Sequence, residues 1–172
     1  MSARRCNECT LCCKLLPVAE IGKLAGVRCR EQRAKGCRVY GTAAFPLGCS
    51  LWSCLWLSDE SLQVPRPDRA GYVLDPTPEF VTIEGMTASV VQIWIDPCRP
   101  LAHRDPALRA WLAQRWETHQ QLALVRYDAW HAITLLPPAL TGIGWLEQAG
   151  RASTEHSAGQ IAATLQALRD DG

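Results

Sequence analysis

Nowhere does the chain hold a run of about 20 apolar residues, the length a membrane span needs. The opening Met1-Ser-Ala-Arg-Arg-Cys6 leaves no room for the apolar stretch of a secretory leader. Internal repeats, low-complexity tracts and a Gly-rich nucleotide loop after a strand are missing too. These absences exclude a repeat array and a dinucleotide-binding fold, and they predict a cytoplasmic protein with no membrane partner. Histidine is scarce: His103, His119, His131 and His156 are scattered, and none stands at a ligand-like spacing from another. Surface positions are expected for most, with His131 a satisfied sheet histidine beside Trp130. No nucleophile stands with a recognisable base, so the sequence points away from catalysis.

What remains is an ordinary globular composition, 48% hydrophobic and 20% charged over 172 residues, which excludes a disordered or fibrous chain and suffices for one compact core. Cysteine is the exception. Eight of nine fall in the first 54 residues: Cys6, Cys9, Cys12, Cys13, Cys29, Cys37, Cys49 and Cys54. In a reducing compartment clustered cysteines bind metal or do redox work, and a disulfide scaffold would need an exported chain. Cys98, alone in Asp96-Pro-Cys-Arg-Pro100, reads as a small core or surface thiol.

Charge follows the cysteines. Residues 1–54 carry nine Lys and Arg against three acids, a surplus of +6, while the remainder is −5 within a total of +1. A basic end can mark a nucleic-acid patch. Thiolate ligation accounts for it more economically, because nearby cations stabilise thiolates. Eight thiolates on two Zn²⁺ leave a charge of about −4, and four on a [4Fe–4S]²⁺ core about −2.

The opening Cys6-Asn-Glu-Cys9-Thr-Leu-Cys12-Cys13 is C-x2-C-x2-C-C. A two-residue spacer lets both sulfurs of a pair turn to one ion, and the first three cysteines copy the start of a bacterial ferredoxin run. Cys12 and Cys13 are adjacent, so they project about 100° apart on a helix or to opposite faces of a strand. They are not expected to share one mononuclear ion, which brings Cys29, Cys37, Cys49 and Cys54 into the same module. Eight sulfurs match two zinc sites of four cysteines each; four would serve one [4Fe–4S] cluster. Seven tryptophans fit a shield for the site or core filling, with Trp52 and Trp56 flanking Cys54 and Trp111 and Trp116 sharing a helix stripe.

The C-x2-C-x2-C-C opening, Cys37-Arg-Val-Tyr40 and Phe45-Pro-Leu-Gly-Cys49-Ser-Leu-Trp52-Ser-Cys54 resemble the CxxCxxCC cysteine-cluster (YkgJ-like) proteins, described as zinc- or iron-chelating domains. The resemblance covers the first third of the chain. It departs from that pattern at Thr10, commonly Gly, and at Phe45, commonly Arg. It implies chelation by the eight cysteines and no settled reaction. Three functions are therefore carried: a zinc- or iron–sulfur-binding protein, a [4Fe–4S] accessory oxidoreductase or electron-transfer protein, and a zinc-ribbon-like nucleic-acid module.

The expected fold class is α+β, a cysteine-rich N-terminal lobe packed on a small, mostly antiparallel sheet. Residues 1–57 form the metal module and 58–172 the second region, with Pro65-Arg-Pro67 near the boundary. Apolar spacing predicts a helix over Leu15–Ala25. Strands are predicted at Tyr72–Leu74, Phe80–Ile83 and Ser89–Ile95 as an antiparallel meander, and at Leu122–Arg126 and Trp130–Leu136. Helices are predicted from Asp105-Pro106 to about Gln120, and over Glu155–Leu168.

Overall fold

A computed structural model describes residues 4–6, 8–83 and 85–151. The first 70 residues are short turns: α1 (Leu11–Leu15), a 3-10 turn at Ala19–Ile21, the tiny hairpin β1 (Gln32–Arg33) and β2 (Gly36–Cys37), then α2 (Leu47–Leu51), α3 (Leu55–Ser58) and α4 (Pro67–Ala70). The helix expected over Leu15–Ala25 is not formed. α1 ends where that helix should begin, because Pro17 drives Leu16 into an extended conformation, φ −79° and ψ 145°.

A five-stranded sheet follows, in the order β3 (Tyr72–Ile83), β4 (Met86–Ile95), β5 (Leu122–Arg126), β6 (His131–Leu136), β7 (Leu146–Arg151). Gly71 starts it at φ +83°, and an added Cβ there would come within 2.6 Å of the Arg99 side chain, so this turn needs glycine. The two strands expected at Tyr72–Leu74 and Phe80–Ile83 are one. Its register with β4 slips between Asp75 and Glu79, the stretch holding Pro76 and Pro78. Among the described residues β3 pairs only with β4, so its prolines sit on an edge strand, at an irregularity in its one ladder.

β3 and β4 pair antiparallel, as the meander expectation has it, and the sheet as a whole is mostly antiparallel. β4 and β5 are parallel, and the crossover between them carries α5 (Pro106–His119). That helix opens as its sequence predicts, Asp105 accepting a 2.8 Å bond from the Ala107 N–H ahead of Pro106. β7, which the sequence did not announce, pairs with β6 along six residues, after the short α6 (Pro138–Thr141). The helix expected over Glu155–Leu168 lies outside the described residues. Among the described residues, no helix is long and apolar enough to cross a membrane.

The alternation of the strands loads both faces. Tyr72, Leu74, Val91, Ile93, Ile95 and Val125 pack against Leu108, Trp111 and Leu112 of α5. On the opposite face, Val73 and Trp94 receive Leu11, Leu15, Leu16 and Cys54 from the N-terminal segment. Burying a Leu or Val side chain contributes about 1.5–3 kcal/mol, so this contact fixes the cysteine-bearing segment to the sheet. Beside it the same face carries buried charge: Arg126 bonds Gln92 Oε1 at 2.6 Å and Glu79 Oε2 at 3.1 Å and lies over the Trp94 ring.

His103 corrects the surface expectation for the histidines. It is fully buried, its Nε2 2.9 Å from Glu147 of β7, and Arg104 and Arg109 reach the same carboxylate. His131 is the first residue of β6, paired with β7, and its exposed ring has Nδ1 2.8 Å from Asp128, so it is a satisfied histidine at the edge of that strand. The Arg104 guanidinium first, then His103, holds the Glu147 carboxyl at about 2, down from 4.5. A lowered carboxyl pKa stabilises the fold above the unfolded value and is lost as pH falls through the folded one. The wild-type unfolding midpoint should therefore drop between pH 4.5 and about 2 by more than that of Glu147→Gln, followed by thermal melts across that range.

Candidate metal centre

Local backbone geometry gathers the cysteines. The Cys9 N–H donates to the Cys6 carbonyl at 2.8 Å, turning the first pair back on itself. Cys12 and Cys13 follow on α1, and the Cys29 N–H donates to the Cys13 carbonyl at 2.9 Å. Cys37 ends β2 opposite Gln32, whose side-chain amide donates to Thr10 Oγ at 2.7 Å. Glu20 accepts from the Leu47 and Gly48 N–H groups at 3.2 and 2.6 Å, which sets the start of α2 and so the position of Cys49. Cys54 caps α3 and is buried against the sheet. All nine cysteines are free thiols.

Four of the thiols, Cys6, Cys9, Cys12 and Cys54, line a cavity of about 20 Å³, walled by Trp52, Trp56, Pro67 and Val73. Burial pushes the Cys6 thiol up to about 11, with Cys54, Cys9 and Cys13 adding to the rise. Cys9 and Cys54 are raised chiefly by burial as well. Burial first, then Cys13, Cys29 and Cys37, raise the Cys49 thiol to about 11. On α1 the Cys12 thiol is held protonated by its interaction with Cys13, and Cys13 is drawn down to about 7 by Cys12 and then by the Lys23 ammonium. The sulfurs of these two adjacent cysteines are neighbours, and of the two Cys12 lines the cavity.

Among the described residues, no three His, Cys, Asp or Glu side chains stand close enough together to form a finished coordination shell. The donor chemistry of the cavity nevertheless suits a thiophilic ion, since four sulfurs line it. Cys98 stands apart and exposed, near Lys14 Nζ at 3.8 Å.

Tryptophan and one carboxylate brace the cavity. The Trp52 and Trp94 indole N–H groups donate to the two oxygens of Asp75, at 2.9 and 3.2 Å. Trp56 donates to the Val64 carbonyl at 3.1 Å and is covered by the Arg4 guanidinium, 5.3 Å from its ring. Sequence reasoning anticipated Trp52 and Trp56 as shields but missed Asp75 and the buried Lys23. Nothing in their local sequence marks either, because what commits them is contact with residues far along the chain. Compared with known proteins, this chain matches no family model, no curated protein and no solved structure.

Proposed function

We propose that this chain is a metal-binding protein of the cytoplasm, of the CxxCxxCC kind, holding two zinc ions in two sites of four cysteines each. Cys6, Cys9, Cys12 and Cys54 form the first, and Cys13, Cys29, Cys37 and Cys49 the second. The observation that supports this reading is the cavity that Cys6, Cys9, Cys12 and Cys54 line together, with Cys13, Cys29 and Cys37 acting on Cys49 outside it. Among the described residues, four thiols and no other ionisable side chain line the cavity, the donor set of a tetrahedral zinc site. Two tetrathiolate zinc sites carry about −4, and the +6 of residues 1–54 offsets it. The role is structural or carrier-like, zinc fixing a segment with little regular structure of its own while the sheet supplies packing and a partner surface.

Colour separates the metals. Purified anaerobically, the protein should be colourless and carry about two zinc per chain. A brown preparation with broad absorption near about 400 nm replaces zinc by [4Fe–4S] and favours the redox reading.

Ligand protonation sets a second expectation. The first-group thiols are all raised, so they are neutral at pH 7 and zinc must displace about four protons. Affinity at this site should then fall about four decades per pH unit of acidification. The second site releases fewer, because Cys13 near 7 is already partly ionised. Calorimetry in buffers of different ionisation enthalpy counts these protons.

A further inference from the structure

Cys6 and Cys54 line one cavity from opposite ends of the cysteine-bearing segment. Cys54 is fixed: it is buried, caps the start of α3 and packs with Val73 and Trp94 of the sheet. Cys6 is exposed. Among the described residues, the hydrogen bonds that join Arg4, Cys6 and Cys9 to residues 54–62 are all made by Arg4. Its Nη1 donates to the Trp56 and Asp59 carbonyls, each at 2.9 Å, and its Nη2 to the Leu62 carbonyl at 2.7 Å and the Glu60 carbonyl at 3.4 Å. The same guanidinium stands 5.3 Å from the ring of Trp56, a wall of the cavity. The Trp56 carbonyl lies in the last turn of α3, where a helix leaves its acceptors without partners of its own. The turn that follows is set by Asp59, whose Oδ1 accepts from the Ser61 N–H at 2.9 Å and the Ser61 hydroxyl at 2.5 Å. One guanidinium thus ties the residues ahead of Cys6 to the helix that begins at Cys54.

We propose that Arg4 is a positioning residue of the first site, a clasp that holds Cys6 against Cys54 and thereby sets how fast metal leaves the cavity. This rests on the reading of that cavity as a zinc site. A guanidinium suits the part, because its planar fork reaches carbonyls on two sides while its face covers an indole, whereas an ammonium offers a single point of charge. Holding a ligand in place before the ion arrives removes part of the ordering cost of binding. It also slows release, since a sulfur that detaches stays within reach of the ion and closes on it again. Arg4 touches no metal; it acts through Cys6 and through the Trp56 wall.

The test isolates each site with a serine at one ligand. Cys49→Ser leaves the first site and Cys6→Ser the second, and zinc release to a chromogenic chelator is followed in each, with and without Arg4→Met. Arg4→Met should accelerate release from the first site about tenfold or more, as expected when an outer partner of a metal ligand is lost, and change release from the second by less than about twofold. In the zinc-loaded chain it should also quicken alkylation of Cys6 more than that of Cys54, read by peptide mass. Arg4→Lys, which keeps the charge but not the fork, should release zinc nearly as fast as Arg4→Met. Acceleration at both sites, or equal quickening at Cys6 and Cys54, means that Arg4 only supports the fold of the segment. No acceleration at either, or full recovery by Arg4→Lys, removes the clasp. Each of these overturns the proposal while leaving the zinc sites. Wild-type protein that takes up no zinc overturns the reading of the cavity itself, and the proposal with it.

Discussion

A serine at one cysteine should remove one zinc and leave the other. Cys6→Ser and Cys9→Ser are expected to lower the content from about two zinc per chain to about one, and so are Cys29→Ser and Cys49→Ser, while a variant taken from each group loses both. Cys98→Ser should change nothing, because Cys98 is exposed and does not line the cavity. The effects are large because the segment has so little else to order it. Its helices are five residues or fewer, and its strands two residues each. Helices of that length are not stable alone in water. Metal affinity becomes folding energy in such a case, about 10–16 kcal/mol for a structural zinc at neutral pH. Titrating zinc into each variant by native mass spectrometry reads the pattern directly. A pattern in which every one of the eight substitutions removes all metal would mean a single shared centre.

Arg126→Met should be the most damaging change outside the cysteines. The side chain is 1% exposed, and its guanidinium serves Gln92, Glu79 and the Trp94 ring at once. Removing it strands Glu79, itself 5% exposed, as a buried carboxylate without a cation. Breaking one half of such a pair costs about 3–5 kcal/mol, a large share of the stability of a domain this size. Replacing both ends, Glu79→Met with Arg126→Met, should recover most of the loss, since the uncompensated charge is then gone. Urea unfolding of the two variants measures the difference. The Arg126 loss should also loosen the first cysteine group. Trp94 lies under Arg126 and shares Asp75 with Trp52, one wall of the 20 Å³ cavity.

How much of this the sequence carried depends on the range of the cause. α5 is legible because Asp105, Pro106 and the apolar run Leu108, Trp111, Leu112 act within one helix. β5 and β6 are legible for the same reason, being short and apolar. β3 divides on paper at Pro76 and Pro78, yet forms one strand because an edge position tolerates both. β7 has the weak strand composition Leu-Glu-Gln-Ala-Gly-Arg, so pairing with β6 decides it rather than propensity. The parallel pairing of β4 with β5 is likewise a matter of how α5 returns the chain.

In the candidate site, the cysteines and the Cys12–Cys13 division are local and readable. That Cys54 joins Cys6, Cys9 and Cys12 around one cavity depends on how the chain returns through α2. Lys23 and Arg126 look like surface residues in sequence. Burial gives each of them a part in the molecule.

The most direct test is the native mass of the wild-type protein together with its reactive thiols. The expected result is an ion heavier than the bare chain by two zinc less four protons, the two that each divalent ion replaces at constant charge, with one of the nine cysteines, Cys98, open to alkylation until a chelator is added. A bare-chain mass with the cysteines of both groups freely alkylated would contradict the account.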